Sequence, residues 1–434
     1  MLLLLIVVSI ASSSPVNTHP RVTIEYGEVV GFRYNVSDIF LAIPYASPPL
    51  GRLRFEKPVP PSPWSIPLNT TQFGAACVPH SHKDISEKLK VSENCLTLNI
   101  FTPSDRIAGK LLPVLFYIHG GAFERGNTGG YKEFADIYTT QGIVVVSVQY
   151  RLGVLGFASL GSGHFSGNYG LFDQAAALHF VQRNIGKFSG DPKNIKVFGN
   201  SAGGVSAGIL AIAPLTRDLI SGSIEMSGSP FVHWAMNIRV EKNTLEFANS
   251  VGCKTGNRTV EEVKNCMKGV TIDAMLNGMD DIGSTEFSLD MFKFGPRIDG
   301  DFAPRSYEDM AKVYLYLFEH YPSDMYTNDM VKGSVHASEY AYLLGHKVVK
   351  PFNWTTEERK LQREVQQMII TFVKQGTFTV NDAIETVGFG KFQVILSTIA
   401  GLCWMADSME VLLLSLLTPS LVCEWNITPY EQVL

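Results

Sequence analysis

The apolar run Ile195 to Phe198 passes directly into Gly199-Asn200-Ser201-Ala202-Gly203-Gly204, and this junction constrains the fold more than any other stretch of the chain. Gly-x-Ser-x-Gly between a strand and a helix is the sharp turn that presents a serine nucleophile at the edge of an α/β sheet. The glycines have a steric cause, because a serine forced to unfavourable φ/ψ needs neighbours without Cβ where backbones crowd. Small Ala202 and Gly203 also let the following helix begin close against the sheet. Glycine and serine are common in flexible turns, so the motif gains its weight from what surrounds it.

A second apolar run supplies that context. Leu112 to Ile118 reads as a buried strand and leads into His119-Gly120-Gly121-Ala122-Phe123. Acyl transfer through a serine needs N–H donors where the tetrahedral oxyanion forms, and removing one costs roughly 3–4 kcal/mol of transition-state stabilisation. Gly120 and Gly121, with the N–H of Ala202, are the candidate oxyanion hole. Taken alone, the glycine pair reads more readily as a plain strand-to-loop turn. Its place ahead of the serine turn, in the chain order such sheets use, favours the functional reading.

Several further stretches resemble the type-B carboxylesterases, the branch of the α/β-hydrolases that includes the cholinesterases. Phe40 to Phe55 is similar to the family's N-terminal signature, and Ser92 to Pro103 to the one after it. Tyr150-Arg151-Leu152-Gly153 with Gly156-Phe157, Asn168 to Gln174, and Asn184 through Gly204 extend the likeness. It implies an α/β-hydrolase domain over residues 22–376, a mostly parallel central sheet with helices on both faces. It also implies hydrolysis of a small-molecule carboxylic ester with no cofactor, neither metal nor organic. One position departs from the pattern, since relatives place Glu before the serine and this chain has Asn200; Asn can still hydrogen-bond locally, so a modest effect at most is expected.

The base follows the nucleophile late in the chain in this fold, after the acid. Gly333 to Glu339 resembles the family's histidine loop, which makes His336 the general base; an imidazole with an unperturbed pKa near 6.5 can take the serine proton and return it to the leaving alcohol. His119 and His179 fall within motifs but in structural roles. The acid has no counterpart. Relatives carry it after a segment like Gly295 to Pro304 and well before the histidine, whereas here Ser306 to Lys312 runs straight into Val313-Tyr314-Leu315-Tyr316, the strand that leads to the histidine. A block of helices and one strand is therefore expected to be missing near 311–313, with the acid inside it. Asp301, Glu308, Asp309, Glu319, Asp324 and Asp329 lie in the interval, none at the matching position. A non-catalytic binding protein on an esterase scaffold is the alternative to hydrolysis.

At 434 residues, 45% apolar and 18% charged, the chain can bury a large core, and its net charge of −5 speaks against a nucleic acid or an anionic membrane surface as an electrostatic partner. Oligomeric state is not legible. Met1 to about Ser14 fits a secretory signal peptide, although its n-region lacks Lys or Arg. The resemblance pairs Cys77 with Cys95 and Cys253 with Cys266, loops that the family staples in oxidising compartments; buried free thiols are the alternative. Sequons at Asn35, Asn69, Asn257 and Asn353 fit glycosylation of a secreted chain.

Beyond Gly376 the family pattern stops. The tail, 378–434, contains an apolar stretch, 394–417, broken only by Asp407 and Glu410. With Gly388-Phe389-Gly390-Lys391-Phe392-Gln393 before it, this stretch resembles the first transmembrane helix of synaptic-vesicle-glycoprotein-2-related transporters of the major facilitator superfamily. Roughly 20 apolar residues span a bilayer, so a membrane tether is expected, with a buried core helix as the alternative. One such helix transports nothing. The missing middle and foreign tail together suggest a chain joined from two sources, or a decayed paralogue.

Overall fold

Alternation at period two explains the centre of the molecule. In β7 (Leu112–Ile118) the side chains of Val114, Phe116 and Ile118 enter one buried cluster while Leu115 and Tyr117 enter another. The neighbouring β8 (Val144–Val148) divides in the same way, with Val144, Val146 and Val148 on the first face and Val145 on the second. A strand with both faces covered must be apolar throughout, which is why both runs lack charge. The computed structural model describes residues 19–303, without 88, 108, 131, 162, 233, 255 and 284–291, together with 340–344 and 354–375.

Around these two strands stand β3 (Phe32–Tyr34), β4 (Ser37–Pro44), β6 (Thr97–Pro103), β9 (Gly190–Asn200) and β10 (Gly222–Met226), making a seven-stranded sheet in the order β3-β4-β6-β8-β7-β9-β10. The first four strands pair antiparallel, and from β8 to β10 every pair is parallel. A small separate sheet joins β1 (Arg21–Ile24), β2 (Gly27–Val30) and β5 (Leu68–Asn69). Parallel strands require crossovers: α1 (Gly153–Phe157) and α2 (Tyr169–Asn184) lie between β8 and β9, which flank β7, and α3 (Ala202–Ile212) lies between the neighbours β9 and β10. These helices cover the Val114 face through residues such as Leu171, Leu178, Val205 and Ile209. The opposite face is covered by α7 (Tyr340–Leu344) and α8 (Thr356–Gln375), where Leu343, Ile369, Ile370 and Val373 meet Phe198, Ile224 and Met226. Three further helices, α4 (Val240–Ser250), α5 (Val260–Lys268) and α6 (Ile272–Ile282), add Phe247, Val263, Met275 and Met279 to the buried cluster that holds Val114, together with Phe294 and Phe302.

The motif stretches become tertiary ties. Arg54, from the N-terminal signature, makes a paired contact with Glu93, from the next one, at 2.7 and 2.6 Å. Arg151 and Asp173, both buried, form a second two-pronged ion pair at 2.7 Å on each arm. Asn168 holds the backbone of Arg297 from both sides, donating to its carbonyl at 2.8 Å and accepting from its N–H at 3.0 Å. Planar guanidinium and amide groups suit such two-pronged bonding, which fixes orientation as well as distance. Both expected disulfides are present, Cys77–Cys95 and Cys253–Cys266. The expected signal peptide 1–14, the join near 311–313 and the tail 378–434 lie outside the described residues. Among the described residues no helix is long and apolar enough to cross a membrane.

Candidate active site

The chain leaves β7 towards β8 on one side, yet β9 lies on the other side of β7. The loops leaving the carboxyl ends of β7 and β9 therefore diverge, and in open α/β sheets such a switch point opens the crevice where ligands bind. Both sequence motifs fall there. Ser201 sits between the end of β9 and the start of α3 with φ 57° and ψ −125°, a backbone conformation that a side-chain-bearing residue adopts only under constraint. Its N–H donates to the Met226 carbonyl at 2.8 Å, and its carbonyl accepts from Val205 at 3.0 Å, so neighbouring strand and helix both hold the turn.

Close approach explains the glycines. A Cβ on Gly203 would stand 2.2 Å from the Ile118 carbonyl oxygen, so only glycine lets α3 begin directly above β7. A Cβ on Gly120 would meet the Asn200 carbonyl at 2.4 Å and the Ser201 Cβ at 3.2 Å. The glycine loop thus runs against the serine turn itself, and its two motifs form one site. Ala202 is the first residue of α3, and the leading N–H groups of a helix have no partner within it. Its amide also lies at the positive end of the helix dipole, where developing negative charge is stabilised.

His119 fixes the loop from beneath. Its ring stacks on Tyr150 with centroids 4.5 Å apart, and the Tyr150 hydroxyl donates to the His119 carbonyl at 2.8 Å. Nδ1 lies 2.9 Å from the Gly120 carbonyl, a contact that requires Nδ1 to carry the proton. Burial lowers the imidazole to about 4, so the ring is neutral and its role is structural, as the sequence suggests. The Asn200 side chain is buried, and among the described residues its Nδ2 has no hydrogen-bond partner.

Of the remaining assignments, His336 and Asn353 lie outside the described residues, as do Glu308, Asp309, Glu319, Asp324 and Asp329. Asp301 is engaged at the surface with Lys57 at 2.5 Å. Asn35 is exposed in a turn, Asn69 is exposed with its Oδ1 accepting from Thr71, and Asn257 is exposed beside α5. Among the described residues no group of His, Cys, Asp and Glu could hold a metal ion. Two residues bordering the site had no sequence signal: Glu124, which follows the glycine loop, and His80, which faces it at 3.6 Å. A charged residue after Gly-Gly-Ala-Phe reads as solvated until the fold buries it.

Comparison with known proteins agrees with this geometry. A model of the carboxylesterase family matches residues 18–312 and 303–386. Gut esterase 1 of Caenorhabditis briggsae is 44% identical over 293 residues, 67% of this chain and 51% of that protein. Gut esterase 1 of Caenorhabditis elegans is 42% identical over 295 residues, 68% of this chain and 51% of its own. Carboxylesterase 1F of Mus musculus is 38% identical over 291 residues, 64% of this chain and 51% of its own. The chain spans about half the length of these curated relatives. With a family match over most of its length, and a serine turn and glycine loop meeting at the switch point of a mixed α/β sheet, the chain belongs to the carboxylesterase family and has its α/β-hydrolase fold.

Proposed function

We propose that the chain hydrolyses small-molecule carboxylic esters through Ser201, at a rate limited by loss of the family's catalytic acid. The contact of Gly120 with the Ser201 turn carries the reading, since it puts nucleophile and oxyanion donors in one crevice. Ser201 Oγ attacks the ester carbonyl, Gly120, Gly121 and Ala202 N–H groups receive the oxyanion, and water releases the acyl group. His336 acts as base and then as acid. The family model matches in two segments, 18–312 and 303–386, which meet close to the proposed join at 311–313 and support a missing block there. An imidazole without its orienting carboxylate loses tautomer control, which in the serine-protease template lowers turnover about 10⁴-fold.

The lack of a matching acid also favours a second reading, a non-catalytic binding protein on the esterase scaffold. The two disulfides support passage through an oxidising compartment, consistent with a signal peptide at 1–14, glycosylation and secretion. A tether through 394–417, like the first helix of the synaptic-vesicle-glycoprotein-2-related transporters, rests on sequence alone.

The purified full chain, given a short p-nitrophenyl ester and a fluorophosphonate probe, is expected to turn over weakly and to label at Ser201. Ser201→Ala should abolish both. A Ser201-dependent rate at the median for enzymes, about 10 s⁻¹, or above would overturn the lost-acid argument. No labelling and no turnover would favour the binding protein.

A further inference from the structure

The glycine loop is strained beyond its glycines. Gly121, Ala122 and Phe123 take φ of 114°, 64° and 60°, three left-handed residues in succession beside the nucleophile turn. Such backbone is unfavourable for residues with a Cβ, and it persists only where its surroundings over-determine it. The contacts that do so converge on one residue. Phe123 is held through its carbonyl by Gly153 N–H at 2.7 Å. Glu124 is held twice: its carbonyl accepts from His80 N–H at 2.7 Å, and its Oε1 accepts from Lys293 N–H at 2.8 Å. Lys293 is itself anchored, its carbonyl accepting from Asn243 at 2.7 Å and Asn237 at 3.1 Å. Glu124 therefore joins the oxyanion loop to the disulfide-bounded segment carrying His80 and to the bend at Lys293, with its carboxylate largely removed from water.

We propose that Glu124 is a positioning residue for the oxyanion hole: its carboxyl group, bound to the Lys293 backbone N–H beside His80, keeps Gly120 and Gly121 against the serine turn. The inference rests on the esterase reading of Ser201 and the glycine loop. Burial raises the Glu124 carboxyl to about 7, with the N–H groups of Lys293 and Phe294 and the charge of Arg125 opposing, and Asp84 reinforcing. His80, whose Nδ1 is 3.6 Å away, is lowered to about 4 by burial and by the Lys293 charge, with Asp280 opposing. The histidine is thus neutral throughout the range in which Glu124 changes charge. His82 pairs with Asp280 at 2.8 Å, and Glu246 lies 3.7 Å from Lys293 Nζ, so both neighbouring charges have partners of their own. Because burial outweighs these N–H bonds, a carboxyl that is raised in the buried site and ordinary in water favours the buried arrangement as it takes up its proton, so the contact holds on both sides of the titration.

The full chain, Glu124→Ala and Glu124→Gln are compared by amide hydrogen exchange over residues 119–126 at about pH 6 and about pH 8, either side of the carboxyl's titration, together with kcat and KM for a short ester at the same two pH values. The wild-type protection factors should be at least as high at the acid end, those of Glu124→Ala low at both, and those of Glu124→Gln restored towards wild type, since its amide oxygen can still accept from the Lys293 N–H. kcat should fall on the order of 10-fold in Glu124→Ala, short of the 10²–10³ that deletion of a whole oxyanion donor costs, and recover in Glu124→Gln, with KM little changed. If no form of the chain hydrolyses esters, the function reading fails and the exchange arm alone decides this inference. Wild-type protection in Glu124→Ala overturns it. If that variant does not fold, wild-type protection and kcat in Glu124→Asp, whose carboxyl is one methylene further from the Lys293 N–H, overturn it.

Discussion

His119 shows how a single side chain can set a site without touching substrate. Its ring supports the Gly120 carbonyl and lies flat on Tyr150, and it does so as a neutral group because charging it in that position is costly. A histidine held near 4 contributes fully above its unfolded value of about 6.5; as pH falls between the two, the unfolded chain takes up a proton that the folded chain refuses, and stability is lost. The full shift corresponds to about 3 kcal/mol. His119→Asn should therefore be less stable than wild type at neutral pH, with the gap narrowing as pH falls from about 6.5 to about 4. Urea denaturation at several pH values measures it, and a constant gap would mean that His119 titrates as an ordinary surface histidine. At this scale Ser201 and Gly120 were legible, because their constraints are local sterics; Glu124 was not, because its burial depends on segments far along the chain.

Elements here owe their boundaries to short polar signals. Thr259 and Glu262 bond reciprocally at the start of α5, and Thr355 and Glu358 do the same before α8. Thr271 caps α6 by accepting from the Ala274 N–H at 3.2 Å. Thr271→Ala should cost about 1 kcal/mol, the usual value of an N-cap hydroxyl, and should leave ester turnover unchanged because α6 lies outside the site. Thermal unfolding followed by circular dichroism tests the first part and p-nitrophenyl ester hydrolysis the second; an undiminished midpoint would mean that the cap is replaced by solvent. The apolar runs at 112–118 and 195–198 were readable as strands from composition alone. Their adjacency in space was not, since β7 meets β9 across more than one intervening element.

For the whole molecule, long-range ties decide which loops surround the crevice. Cys253–Cys266 closes a loop of 13 residues between α4 and α5. Constraint of the unfolded chain by a loop of that size is worth about 3 kcal/mol, so a Cys253→Ser/Cys266→Ser variant should melt lower, and the wild type should approach it under reducing conditions. Calorimetry with and without reductant checks this, and equal midpoints would show that the core alone holds these helices. The pairs Arg54–Glu93 and Arg151–Asp173 make the same point in charge. Each partner could be picked out in a recognisable stretch of sequence, yet nothing in the stretches said which would meet.

From the residues alone came the serine turn, the glycine loop, the strand character of the runs before them and the family to which they belong. Each of these depends on neighbours within a few positions, where sterics and apolar periodicity act directly. The tertiary structure alone decided that Gly120 lies against Ser201, that His119 is neutral and that Glu124 is half-buried beside His80. Those facts depend on desolvation and close packing between segments distant in sequence, and such forces exist only once the sheet has brought the segments together.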